Sequence, residues 1–201
     1  MSFVRASLGL AALALAFPGL AQAQKQFTLA GSDVAVYNLV GTVSVAAGRG
    51  DAVTVAITPQ GSDAAKLTFG EGTVRGRNAL RVLYPSDRII YDGMGRGSST
   101  ELSVRSDGTF GGDEESRRHN QGGRVRITGS GSGLEAHADI VISVPEGKSV
   151  SVFLGVGDIT ASNVKGDLRL DTSSGRVDVT GTRGDLIVDT GSGDVKLLKR
   201  P

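Results

Sequence analysis

The chain has 201 residues, room for one domain or one elongated array, and it contains no cysteine, which excludes disulfides, thiolate metal sites, cysteine nucleophiles and a lipidated N-terminal cysteine. Its net charge is +1, and Arg5 is the only charge among the first 23 residues, so the rest is neutral and offers no electrostatic case for nucleic acid or an anionic membrane. Hydrophobic residues make up 39% but aromatic ones only 4%, so Val, Leu, Ile and Ala must fill the interior; the 30 glycines lack the every-third spacing of collagen and point to short strands joined by tight turns.

Taken in chain order, Arg5 precedes an apolar run from Ala6 to Phe17, a break at Pro18-Gly19, and the small-residue triplet Ala21-Gln22-Ala23. That is the layout of an export signal, and its apolar run is too short to span a bilayer comfortably. Residues 1–23 are therefore predicted to be a signal peptide cleaved after Ala23, placing the mature chain in the periplasm or outside the cell. No later stretch approaches the ~18 apolar residues of a membrane helix, so no transmembrane segment is expected in the mature chain.

Residues 24–84 read as an N-terminal β part, with short strands at Phe27-Leu29, Val34-Val36, Val43-Val45, Val53-Ile57, Leu67-Phe69 and Leu80-Leu83. Residues 85–123 read as a polar, loop-rich insertion in which Ile89-Ile90 and Leu102-Val104 are predicted to pair as a hairpin and Asp113 to Gly123 to form a mobile loop. Strand patterns resume in residues 124–201 at Val125-Ile127 and Ile140-Val144. Pro145-Glu146-Gly147 is a turn, and Val150 to Leu154 leads into a repeat. No stretch of the mature chain carries a helical period.

The repeat runs from Gly157 to Ser174, again from Gly175 to Ser192, and begins a third time at Gly193, a spacing of 18 residues. Gly157, Gly175 and Gly193 form one column, Gly166 and Gly184 another. Between them apolar and polar residues alternate: Ile159 and Ala161, Leu168 and Leu170, Val177 and Val179, Leu186 and Val188, Val195 and Leu197. Period two is the strand signature. Strands this short are unstable alone, but stacked on the next unit each finds a partner ~4.8 Å away and the aliphatic columns become continuous. Asn163 and Gly181 occupy one turn position, the two residue types that best tolerate a left-handed backbone. Val36 to Val45 parallels Ala161 to Leu170 with Asn and Gly in register, which extends the repeat upstream. Asp158, Arg176 and Asp194 form a column of alternating charge that avoids a like-charge stack. The predicted fold class is all-β: a β-solenoid, or β-helix-like repeat, of ~18-residue coils with an irregular polar insertion.

The succession Val144-Pro145-Glu146-Gly147, Gly155-Val156-Gly157-Asp158-Ile159, Asp171-Thr172-Ser173-Ser174-Gly175 and Thr190-Gly191-Ser192-Gly193-Asp194-Val195 resembles the bacterial DUF4097 family, which carries the label "putative adhesin". Tyr37-Asn38-Leu39-Val40-Gly41 is similar to that family's start. The resemblance covers roughly residues 30–57 and 125–198; the polar stretch 85–123 has no place in it. It implies a β-helical envelope protein without enzyme activity.

Chemistry is sparse. His119 lies in the charged loop and His137 in a strand-like stretch, and neither has a nucleophile motif: Gly129-Ser130-Gly131-Ser132-Gly133 has the letters of a nucleophile elbow but reads as a turn. Asp158, Asp167, Asp171, Asp185, Asp189 and Asp194 recur near turns, but Asp follows Gly directly, whereas a calcium-binding roll places Asp two after its third Gly; the expectation is that these side chains bond their own backbone. Arg117, Arg118, Arg124 and Arg126 are offset by Asp113, Glu114 and Glu115, as on a solvated loop. Lys196, Lys199, Arg200 and Pro201 crowd the last strand, as suits a protected edge. No catalytic, cofactor-binding or metal residue and no cofactor is assigned. The expected function is a non-catalytic exported envelope or adhesion-type module presenting a repetitive surface to an envelope, glycan or protein partner. The alternatives are a polysaccharide-active β-helix enzyme and a calcium-stabilised β-roll.

Overall fold

The computed structural model describes residues 24–111 and 122–198. The predicted signal peptide, the loop with His119, Arg117 and Arg118, and the terminal Lys199, Arg200 and Pro201 lie outside the described residues. The described residues form sixteen strands: β1 (Lys25–Leu29), β2 (Asp33–Val40), β3 (Val43–Ala47), β4 (Val53–Gln60), β5 (Thr68–Val74), β6 (Arg77–Leu83), β7 (Arg88–Ile90), β8 (Ser99–Val104), β9 (Gly123–Thr128), β10 (His137–Val144), β11 (Ser149–Val156), β12 (Ile159–Ser162), β13 (Leu168–Ser174), β14 (Val177–Thr180), β15 (Leu186–Thr190) and β16 (Val195–Leu198). Two single 3₁₀ turns, Ala64–Lys66 and Asp92–Met94, complete the list of elements.

The all-β expectation is met, but the solenoid is not. The strands lie in three mixed sheets: seven strands in the order β1-β4-β10-β3-β12-β14-β16, six in the order β15-β13-β11-β2-β6-β5, and three in the order β7-β9-β8. A solenoid winds steadily, each coil on the one before. Here β2 lies beside β11 and β3 between β10 and β12, more than ninety residues away, while β4 runs antiparallel to both β1 and β10. The reason lies in burial: β2 and β11 are buried at seven of eight positions each, so both of their faces need a covering layer, whereas a solenoid coil leaves its outer face in solvent.

Within this frame the eighteen-residue spacing is a true pairing register. Ile159 pairs with Val177 and Val177 with Val195; Leu168 pairs with Leu186, all in parallel. Asn163 and Gly181 both adopt left-handed φ, 55° and 65°. The upstream register is different from the one expected: Val40 pairs with Val156 and Val43 with Ile159, so Gly41 sits beside Gly157, not Gly166. Asn38 is accordingly a buried strand residue and not a turn residue.

The glycine column explains itself sterically. Gly157, Gly175 and Gly193 have φ of 132°, 150° and 145°, and a Cβ on each would lie 1.7, 1.9 and 1.9 Å from the carbonyl oxygen of Gly41, Gly157 and Gly175 respectively. No other residue fits such an approach.

Two cores result. Val34, Val36, Leu80, Val152, Leu154 and Leu170 of the six-stranded sheet face Val45, Val55, Ile57, Ile140, Ile142, Ile159 and Val177 of the seven-stranded sheet in an almost purely aliphatic interior. On the outer face of the six-stranded sheet, Ala35, Tyr37, Ala79 and Phe153 meet Ile89, Val104, Phe110, Val125 and Ile127. The Tyr37 and Phe153 rings stack at 4.6 Å and 7°, with Phe110 edge-on to Tyr37 at 6.0 Å. The polar stretch therefore supplies a third layer. Its strands β7 and β8 form as expected but do not pair as a hairpin: both flank β9, β7 parallel and β8 antiparallel. β9 turns Val125 and Ile127 into the same core as Ile89 of β7 and Val104 of β8.

A buried polar cluster ties the layers together. Asn38 Nδ2 donates to Val40 O (2.9 Å) and Ala138 O (2.8 Å), and the Tyr84 hydroxyl donates to Asn38 Oδ1 (2.7 Å) with Val40 O at 3.0 Å. Burial of that hydroxyl pushes the Tyr84 phenol far above its ordinary value.

Candidate interaction site

The residues with catalytic letters do not assemble. His137 opens β10 and lies against the Tyr91 ring, centroids 5.1 Å apart. Ser130 and Ser132 are exposed in the link between β9 and β10, two strands, and not at a strand-to-helix turn. Among the described residues no group of three or more His, Asp or Glu side chains is placed to hold a metal ion.

The aspartates do something else. Asp158 Oδ1 accepts the backbone N–H of Arg176 (2.8 Å), and Asp167 Oδ1 that of Asp185 (2.9 Å), each exactly one repeat ahead. Asp139 Oδ1 accepts both the N–H and the hydroxyl of Thr42, at 3.0 and 2.8 Å. These carboxylates bond the backbone of the neighbouring unit, where bonding to their own was expected. The Asp158–Arg176 contact is thus carboxylate to amide, so the alternating-charge column acts through the backbone at that step. Arg124 and Arg126 both reach Glu101, at 2.9 and 3.2 Å, which holds the Glu101 carboxyl below its usual range.

The distinctive surface is at the β15/β16 end. Along the aliphatic columns burial collapses over one unit. Leu168 and Leu170 are buried and their partners Leu186 and Val188 half-buried; Val177 and Val179 are 0% and 3% exposed, while their partners Val195 and Leu197 are 42% and 57% exposed. Leu198 (50%) and Ile187 (54%) add to the same end. A cleft of about 550 Å³ opens between the two sheets there, lined by Val179, Leu186, Leu197 and Leu198 with Lys165 and Arg183 at its rim.

The backbone ladder runs along the same columns. Gly157 N–H donates to Ser174 O and Gly175 N–H to Ser192 O; Ile159 N–H donates to Arg176 O and Val177 N–H to Asp194 O, all at 2.8–2.9 Å. Gly166 and Leu168 do the same to Arg183 and Asp185, at 2.8 Å. Each acceptor is one unit ahead. Among the described residues β15 and β16 are the end strands of the six- and seven-stranded sheets. Period and glycine spacing made the columns readable; the collapse of burial along them has no sequence signal, because Val195 and Leu197 look like Val177 and Val179.

No family model and no curated protein sequence matches the chain. Among solved structures, a "putative cell adhesion protein" from Clostridium sporogenes is similar at a TM-score of 0.46 and 8% identity, over 89% of this chain and 99% of that one. A likeness of that depth carries no argument, and the fold stands on the strand pairing of this chain alone. No helix among the described residues is long and apolar enough to cross a membrane.

Proposed function

We propose that the chain is an exported, non-catalytic module of the adhesion type that holds a partner at its β15/β16 end. The observation that carries this reading is the clustering of exposed aliphatics. Five large hydrophobic side chains are exposed among the described residues, and four of them, Ile187, Val195, Leu197 and Leu198, share this end; the fifth is Val141. Large aliphatic side chains exposed together at one end of a molecule are the mark of an interaction surface. The non-catalytic part is supported by the engagement of His137 with Tyr91 and of Asp158 and Asp167 with backbone amides. Export is supported by the arrangement of Arg5, the apolar run and Ala21-Gln22-Ala23.

The test is saturable binding of the purified mature protein to peptidoglycan, a glycan panel and host surface proteins. Binding to at least one class is expected, reduced at least ~tenfold by Leu197→Asp combined with Leu198→Asp, substitutions that leave the fold within ~0.5 kcal/mol because both sites are exposed. Equal binding by the double variant, or turnover of any polysaccharide offered, would overturn the reading. A melting scan with calcium and with chelator is expected to superimpose; a calcium-dependent shift would instead assign the aspartates to metal.

A further inference from the structure

We infer that the outer face of the seven-stranded sheet binds ice, through a line of small side chains that crosses six of its strands. The pairing register sets that line. Thr28 of β1 pairs with Thr54 of β4, Thr54 with Ser143 of β10, Ser143 with Ala46 of β3, Ala46 with Ser162 of β12, and Ser162 with Thr180 of β14. Leu198 of β16 follows Thr180. Two residues along the strands, Ala56, Val141, Ser44 and Thr160 form a second line across β4, β10, β3 and β12, closed by Gln26 at one end and Asp178 at the other. The residues between them, such as Val45, Val55, Ile142 and Ala161, point into the aliphatic core, so both lines face outward. The third layer packs on the other sheet, and Val141 stays 47% exposed.

The chemistry of this face is uniform. Charged residues make up 21% of the chain, yet none stands among the ten positions from Thr28 to Thr180 and from Ala56 to Thr160 along the two lines, and no aromatic ring does. Thr28, Thr54, Ser143, Ser162, Thr180, Ser44 and Thr160 bring hydroxyls; Ala46, Ala56 and Val141 bring only methyls. Strand pairing repeats the positions every ~4.8 Å across the sheet and every ~6.7 Å along a strand, close to the repeats of oxygen on a prism face of ice. Hydroxyls can donate to and accept from such a lattice, and methyls order the water between them without competing for its hydrogen bonds. Ser44 Oγ and Thr160 Oγ1 lie 3.1 Å apart and bond to each other, which holds that pair in place. A protein partner would gain little here. Val141 is the one large aliphatic among the ten, and covering it is worth ~1.5–3 kcal/mol against the ~4–15 kcal/mol that association costs.

The experiment grows ice slowly from a dilute solution of the mature protein and measures protein in the ice and in the remaining liquid, together with the gap between the melting and freezing points of a single crystal. Enrichment in the ice and a measurable gap are expected. Thr54→Lys combined with Ser162→Lys puts two long, hydrated charges on the line, and incorporation is expected to fall at least ~tenfold while circular dichroism stays native. Val141→Lys on the same face is expected to act alike if the pair fails to fold. Ser99→Lys, on the third layer, is expected to change nothing. Exclusion of the protein from ice, or equal incorporation by the folded lysine variants, would overturn the inference. So would retention on crystalline cellulose or chitin that the same lysines abolish, which would assign the face to a polysaccharide. Failure on ice leaves the β15/β16 reading where it stands, because that reading is tested through Leu197 and Leu198 on other surfaces; ice binding with no other partner found would do the reverse.

Discussion

Arg75 and Gly76 form the two-residue link between β5 and β6, with φ of 51° and 79°. Positive φ at both positions is the hairpin turn that favours Asn-Gly, and an arginine there carries the steric cost of a left-handed backbone. Arg75→Asn should raise stability by about 1 kcal/mol, measured by denaturant unfolding; a loss would show that the Arg75 side chain holds the hairpin in another way. Tyr84 runs in the opposite direction. Its phenol is held neutral by burial and donates to Asn38, so Tyr84→Phe leaves a buried amide oxygen short of a partner and should cost ~1–3 kcal/mol at neutral pH. A raised phenol pKa means that the folded state keeps a proton the unfolded chain gives up. Its contribution is complete below pH 10.0, the phenol's ordinary value, and drains away as pH climbs above that point. Tyr37 and Tyr91 are shifted the same way, chiefly by burial. Stability measured from pH 9 to 12 should therefore fall, and fall less steeply in the Phe variant.

At the scale of strands, the glycine column sets register. Gly175→Ala would drive a methyl into the Gly157 carbonyl, and a cost of at least ~2–3 kcal/mol is expected, against less than ~0.5 kcal/mol for Gly123→Ala, where a methyl meets nothing within 4 Å. Circular-dichroism melts of the two variants compare them directly. The column also shows what could be read beforehand. Gly, then two aliphatics at period two, repeated at eighteen, specifies the parallel pairing of β12, β14 and β16 because every constraint recurs in place. β2 was harder. Its run Val34-Ala35-Val36-Tyr37 is buried on both faces, a pattern that signals a covered strand, but nothing local names the cover. β7, β8 and β9 each turn only alternate small aliphatics inward, amid arginines and serines, so they read as strands without a place. Which strands neighbour β4 and β10 is a matter of length and long-range fit, and no short motif encodes it. The open end was equally silent, since exposure of Val195 depends on what lies next to it and not on its own identity.

The whole molecule is three layers held by two unlike interiors, one aliphatic and regular, the other built around the Tyr37–Phe153 stack. With aromatics at 4%, the fully buried rings Tyr37, Phe110 and Phe153 gather in one core, while Phe27 and Phe69 only flank the other. The aliphatic side is what repeats, and repetition makes size a free variable. Removing residues 175–192 would splice Ser174 to Gly193, laying the third glycine on Gly157 in the geometry the second now has. The shortened protein should fold, exposing the same kind of terminus one strand spacing, ~4.8 Å, nearer the rest of the molecule. Removing seventeen residues instead would turn each following side chain to the opposite face and should abolish that end of both sheets. Such a protein can lengthen or shorten by duplication or loss of whole units while its repeating faces stay chemically constant, which makes its length the easiest property for mutation to adjust.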